Sequence, residues 1–306
     1  MLPLPADVEA DLPALIARAL AEDVGAGDVT TAATVGPGVQ ATGRFLVKED
    51  GVVAGLAVAE RVFAAVDAGL VLAWTAADGD RVAAGTVVGT VRGAARSILV
   101  GERLALNLVQ RMSGIATAAH AFAHAARPAV VLDTRKTAPG LRLLDKLAVR
   151  TGGAANHRVG LYDRVLVKDN HIEAAGGIRA ALAAVAAHAP GVPVEIEART
   201  LSEVDEVLAA HAAGLRVDTV LLDNMARRTP AGSGEPELDV SVLADAVQRV
   251  GGRLATEASG NVTLETVARI AATGVGFVSS GAITHSVRAL DVSLKITLAN
   301  TVADRP

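Results

Sequence analysis

Six times in the second half of the chain, an apolar, β-branched run ends in polar residues and mostly gives way to a helix-like, alanine-rich stretch. The runs are AVVLDTRKT (129–137), RVLVKDNH (164–171), VPVEIEA (192–198), VDTVLLDNM (217–225), RLATEASGN (253–261) and GVGFVSSGAITH (274–285). Strands alternating with helices predict βαβ units and a parallel sheet. Each run carries its polar residues at its C-terminal end, which suggests an α/β barrel with the functional groups on that rim. An open doubly wound sheet would gather the same ends along one edge, so the functional reading holds for either architecture.

The first half reads differently. LPALIARALAEDVGAGDVTT predicts a helix ending near Gly25, followed by strand-like ATGRFLVKE and GTVVGTVRG with a helix, AVAERVFAAV, between them. This is expected to be a separate α+β domain over 1–113, with the barrel over 114–288. DGDRVAAGTVV reads as a hairpin similar to that of lipoyl or biotinyl carriers, but no lysine sits at its turn, so a carrier role is discounted. GPGVQA matches a loose glycine-rich phosphate motif but lacks a preceding strand and reads as a turn. In DVSLKITLA, Val292, Leu294, Ile296 and Leu298 alternate with polar residues. That period of two predicts a half-buried strand, so 289–306 is expected to return to the first domain.

Composition removes several function classes. With 51% apolar residues the core can be large, but with only six aromatics it must be aliphatic. A base-stacking surface would need aromatic platforms and a basic field, and the net charge is −4, so no nucleic-acid partner is expected. No apolar run reaches the roughly 18 residues that span a bilayer. The acidic, proline-broken start MLPLPADVEADLP does not read as a signal peptide. The chain has no cysteine, which excludes thiolate chemistry and disulfides, and a cytoplasmic location is expected.

The charge is unevenly placed. Between residues 133 and 171 stand eight cations against four acids, a local +4 that leaves −8 for the rest of a −4 chain. Arg142, Lys146, Arg150 and Arg164 read as surface salt bridges. Arg135, Lys136, Arg158 and Lys168 stand at or beside strand ends, where an unmatched charge is costly, and are expected to hold a small polyanion. His157 and His171 add donors. ASGN (258–261) and SSGAITH (279–285) each follow a strand and precede a helix, a setting that lets backbone amides approach phosphate. Glu197 and Asp223 would point into the same cavity, as acceptors for sugar hydroxyls or as magnesium ligands. Glu195 is read as structural, paired with a neighbouring lysine. One helix, GERLALNLVQRMSGIAT, carries a polar stripe of Arg103, Asn107, Gln110, Gly114 and Thr117, which suits a solvated face, an interface or a site wall.

Taken together, ERLALNLVQRMSGIAT, DTRKTAPGLRLLDKLAV, GGAANHRVGLYDRVLVKDNH, VEIEA, LLDNM, EASGN and GAITHS closely resemble the quinolinate phosphoribosyltransferases. The likeness covers nearly the whole chain. It implies an N-terminal open-faced α/β sandwich followed by an incomplete parallel α/β barrel. It also implies synthesis of nicotinate mononucleotide from quinolinate and phosphoribosyl pyrophosphate (PRPP), with release of pyrophosphate and CO₂ and with Mg²⁺. Arg135, His157 and Arg158 would hold the quinolinate carboxylates, joined by Arg103 from the other subunit of a homodimer with shared sites. Lys136 and Lys168 would meet pyrophosphate and carboxylate charge, and Glu197 and Asp223 the ribose and the magnesium-bound PRPP. Ser259, Gly260, Asn261, Ser280 and Gly281 would take the 5′-phosphate, and Thr134, Ala282 and His285 complete the expected binding set. Lys136, Lys168, Glu197 and Asp223 form the catalytic group. Leu147, Ala154 and Gly276 depart from the family pattern, and the loop 226–239 is longer than is usual and reads as a mobile surface segment. A paralogous family linked to molybdenum transport, a Schiff-base aldolase using Lys168 and a non-catalytic phosphate sensor are the alternative readings.

Overall fold

The computed structural model describes residues 3–229 and 238–299. The chain forms two compact units, one of residues 1–118, 138–153 and 287–306, the other of residues 119–137 and 154–286. Most of the long 226–239 loop, residues 230–237, lies outside the described residues. Its two ends, Arg227–Arg228 and Leu238–Asp239, pair as a short antiparallel ladder.

The first unit opens with α1 (Ala6–Val24), which starts six residues before the predicted helix and runs through Pro13. The apolar stripe explains this extension. Val8, Leu12, Leu15 and Ile16 are all buried, and their helical spacing outweighs the amide lost at proline. Strands β1 (Gln40–Val47), β2 (Val71–Trp74) and β3 (Val87–Ala94) join the strand Val292–Leu298 in one antiparallel sheet. Its order is Val292–Leu298, β1, β3, β2, so the strand Val292–Leu298 pairs antiparallel with β1. Helix α2 (Leu56–Val66) buries its apolar residues, and Phe63 meets Phe45 of β1 edge-on, with ring centroids 6.2 Å apart. The expected hairpin at 78–88 does not form: Arg81–Val82 pairs with Gly51–Val52 instead of β3.

Helix α3 (Ala95–Ala125) carries the polar stripe, and the structure divides it. The Gln110 side chain donates to the Val292 carbonyl at 2.7 Å, and Thr117 Oγ1 accepts the Val52 N–H at 2.9 Å. Gly114 admits the backbone of Arg288 so closely that a Cβ there would lie 2.2 Å from its carbonyl oxygen. That half of the stripe is internal packing. Only Arg103 and Asn107 are exposed. On the next face, Arg111 forms a two-pronged pair with Asp145 at 2.8 and 2.7 Å. Asp145 belongs to the helix Arg142–Thr151 and is fully buried, and Lys146 is only 3% exposed. Lys146 is therefore a core residue and not part of a surface salt bridge, because this helix packs within the first unit.

In the second unit all six predicted runs become strands: β4 (Val130–Leu132), β5 (Val165–Val167), β6 (Val194–Ala198), β7 (Thr219–Asp223), β8 (Ala255–Ser259) and β9 (Phe277–Ser279). They form one parallel sheet in the order β4-β9-β8-β7-β6-β5. That is the order around a barrel, with the seam between β4 and β5 left unzipped. The incomplete barrel is thus observed directly. Ala155 bridges to Leu132 at that seam, so the segment that follows it, carrying Asn156, His157 and Arg158, enters where a closed barrel would have a strand pair.

Candidate active site

The polar end of every strand lies at the C-terminal rim, as the sequence pattern predicts. Thr134, Arg135, Lys136, His157, Arg158, Lys168 and Ser259 line a single cavity of about 300 Å³, together with Leu166, Leu221, Glu257 and Ser279. The strand β4 delivers Asp133, whose buried carboxylate accepts the Asn156 side-chain amide and the His157 backbone N–H, each at 2.8 Å. One buried acid thus ties the seam segment to the first strand end. The Arg158 guanidinium donates to the Arg164 carbonyl at 3.1 Å. Burial, and then the like charge of Arg135, push Arg158 below the usual arginine range. Two guanidiniums that destabilise one another in one cavity fit a site built for a shared anion.

Lys168 follows β5, with its ammonium 3.9 Å from Glu197 on β6. Burial raises Glu197 above the ordinary carboxylate range, and the nearby Asp223 raises it further while Lys168 opposes. Asp223, at the end of β7, is likewise raised by burial and opposed by Lys168. These two acids and the lysine form one electrostatic group on adjacent strands. Two partly desolvated carboxylate oxygens that disfavour each other's charge are a hard-donor set suited to a magnesium ion that keeps some of its waters.

The glycine loops have less freedom than their sequence implies. Gly260 adopts φ +91°, and a Cβ there would lie 2.2 Å from Asn224 Oδ1, so this turn requires glycine. Asn261, also at positive φ, uses its side chain to donate to the Ala226 carbonyl at 2.9 Å. Ser280 is buried; its hydroxyl donates to the Val262 carbonyl and its N–H to that of Leu132. Both side chains therefore shape their loops. Gly281 abuts the Lys136 side chain, where a Cβ would come within 2.8 Å, and Ala282 opens the four-residue helix that follows. His285 is exposed and pairs with Ser286. His171 accepts the Lys168 N–H at 2.9 Å and so caps the start of its own helix.

Sequence reasoning missed the floor of the cavity. Glu195, fully buried, lies 2.9 Å from His157 Nε2 and 3.5 Å from Arg164. Its partners are thus a histidine and an arginine, in place of the expected lysine, and Arg164 supports the site instead of lying on the surface. Glu195 precedes Glu197 by two residues and shares its strand face, one layer deeper. Glu257 of β8, 2% exposed, is the second floor acid. Burial, and then the charge of Glu195, lift Glu257 well above the carboxylate range. Burial also acts to raise Glu195, but the hydrogen bond and charge of His157 outweigh it and hold Glu195 low. The one available signal was an acid in the apolar middle of each strand, Glu195 in VPVEIEA and Glu257 in RLATEASGN.

Comparison with known proteins places this arrangement. Residues 28–113 match the N-terminal domain model and residues 115–295 the C-terminal domain model of quinolinate phosphoribosyl transferase. The chain is 52% identical to quinolinate phosphoribosyltransferase (decarboxylating) 1b of Nicotiana tabacum, over 95% of this chain and 84% of that protein. It is 43% identical to the probable nicotinate-nucleotide pyrophosphorylase (carboxylating) of Synechocystis, over 90% of each. The crystal structure of NadC from Streptococcus pyogenes superposes with a TM-score of 0.86 at 37% identity, over 98% of this chain and 100% of that one. The chain belongs to the quinolinate phosphoribosyltransferase family.

Proposed function

We propose that this enzyme condenses quinolinate with PRPP to give nicotinate mononucleotide, pyrophosphate and CO₂, a step of NAD biosynthesis. The observation that carries the reading is the cavity itself. Four cations from three chain segments, Arg135, Lys136, Arg158 and Lys168, line one small volume at the barrel rim. A compact dicarboxylate beside a pyrophosphate matches that charge density. A Schiff-base lysine is disfavoured, because Lys168 is half exposed and faces Glu197, not an apolar pocket.

The reaction suited to this site is displacement at the anomeric carbon of PRPP through an oxocarbenium-like state. The chain's contribution is to hold two anions of like charge together and to neutralise the departing pyrophosphate, a role this reading gives to the cavity-lining Lys136 and Lys168. Glu197 and Asp223 would hold Mg²⁺, which when bound supplies charge neutralisation for the pyrophosphate. Once the ring nitrogen is alkylated, its positive charge stabilises the electron pair left on C2 as the 2-carboxylate departs as CO₂, and that carbon then takes a proton from solvent. No covalent enzyme intermediate is needed.

The finer assignments belong to the same proposal. Arg135 and Arg158 meet the quinolinate carboxylates, and the turn around Gly260 and Gly281 receives the 5′-phosphate. The protein acts as a homodimer, with Arg103 completing the partner's site. A cytoplasmic location is proposed as well, in keeping with a cysteine-free chain. Among the described residues no helix is long and apolar enough to cross a membrane.

Arg135→Ala tests the reading. The side chain is exposed and lines the cavity, so the fold should survive. A charge-assisted pair is worth about 1.5–3 kcal/mol, which predicts at least a tenfold loss of quinolinate affinity by calorimetry. Unchanged affinity in a folded variant would remove Arg135 from the site.

A further inference from the structure

Successive residues of a strand point to opposite faces, and the antiparallel sheet of the first unit has two very different sides. Phe45 of β1 is fully buried and meets Phe63 of α2, and Gly101 of α3 abuts the same Phe63 ring, so helices cover that side. Helix α1 packs on α2, where Glu9 and Arg61 pair at 3.0 Å, and so belongs to the helical side as well. The other side is solvated, as antiparallel sheets allow. Its charge is of one sign. Arg44 of β1 stands directly opposite Lys295, and Arg92 of β3 stands opposite Thr42, one diagonal step from Arg44. All three side chains are exposed. Cations set directly across a ladder, with Cβ atoms about 5 Å apart, repel one another. Among the described residues no acid pairs with any of the three. The acids at the end of this strand pair are already engaged, Asp291 by Lys48 at 3.5 Å and Glu49 by Arg288 at 2.9 Å.

The start of α1 carries the opposite sign. Asp7 and Asp11 are exposed and one turn apart, and among the described residues neither pairs with a cation. Like charges at this spacing weaken a helix. Within one copy the two sets lie on opposite sides of the sheet and cannot meet. We propose that the cationic sheet face of one copy receives the first turns of α1 from a second copy, setting Asp7 and Asp11 against Arg44, Lys295 and Arg92. Sign and spacing both select this occupant. The two acids are about 6 Å apart along the helix, against about 5 Å between opposed cations and about 7–8 Å between diagonal ones. The contact relieves the repulsion within each set. It is separate from any contact made through Arg103, which lies on α3 of the helical side, and it needs neither quinolinate nor PRPP.

Exposed ion pairs are individually weak and screened by salt, so this assembly should depend on ionic strength. Sedimentation velocity at about 0.1 M and about 1 M NaCl tests it, because the screening length falls from about 10 Å to about 3 Å. The expected result is a mass that rises with protein concentration at the lower salt and falls back at the higher. Arg44→Glu with Lys295→Glu, and separately Asp7→Lys with Asp11→Lys, should each weaken association at least about tenfold, since like charges then face each other. An equal mixture of the two double variants should restore it, because each acidic face then meets a cationic one. Circular dichroism checks the fold; should a reversal disturb it, Arg44→Gln with Lys295→Gln must still weaken association. A mass indifferent to salt, double variants that assemble like wild type, or a mixture that stays apart would each overturn the proposal. So would a wild type that never self-associates yet binds a polyglutamate peptide through Arg44 and Lys295, which would assign the face to a foreign acidic partner.

Discussion

Arg103→Ala and Lys136→Ala, each nearly inactive alone, should regain about a quarter of wild-type activity when mixed in equal amounts. Arg103 is exposed on the half of the α3 stripe that the first unit does not use for packing. Lys136 lines the cavity of the second unit. If Arg103 serves the partner's site, a heterodimer of the two variants gathers both lesions in one site and leaves the other intact. Random exchange of equal amounts makes about half of the dimers mixed, so about a quarter of all sites become whole, as an isologous interface requires. Were Arg103 to serve its own subunit, every site would keep one lesion and nothing would return. Native mass spectrometry of the mixture confirms subunit exchange, and an inactive but exchanged mixture contradicts the shared site.

The second large effect concerns stability. Asp145→Ala should lower unfolding free energy by about 2–4 kcal/mol, since it removes one partner of a mostly buried ion pair and leaves the other uncompensated. Asp145 is fully buried and also accepts the Ala138 N–H at 3.0 Å, so one carboxylate satisfies three donors. Arg111 retains 29% exposure and can partly rehydrate, which places the cost below that of a wholly buried pair. Urea unfolding reads the loss as a shifted midpoint at unchanged slope. Replacing both partners, Arg111→Met with Asp145→Leu, should recover part of the loss, because the orphaned charge is then gone. A single variant as stable as wild type would show that this pair does not tie the helix Arg142–Thr151 to α3.

The barrel was legible because its strands announce themselves locally. VVL before Asp133, VLV before Lys168 and VEIEA each join a β-branched run to a polar end, and all six became strands of one sheet. The polar rim followed from the same runs, so Arg135, Lys136, Lys168 and Ser259 fell around one cavity. What stayed hidden depends on pairing between distant segments. Nothing in GGAANHRVG states that it enters at the seam between β4 and β5, where Ala155 bridges to Leu132. The floor of the cavity joins residues 157, 195 and 257, which no local spacing relates. Lys146 has the composition of a surface residue, but its helix packs in the core of the other unit. The α3 stripe misled for a similar reason. Gln110 and Thr117 are polar because they bond to backbone at Val292 and Val52, partners far away in sequence.

The account's central claim is that four clustered cations select a pyridine dicarboxylate and join it to a phosphoribosyl group. Incubation of the purified protein with quinolinate, PRPP and Mg²⁺, followed by chromatography, tests this most directly. The prediction is nicotinate mononucleotide with stoichiometric pyrophosphate and CO₂, and at least a tenfold slower reaction when nicotinate, lacking the second carboxylate and its charge-assisted contacts, replaces quinolinate. No nucleotide from quinolinate, or equal rates with the two acids, would contradict it.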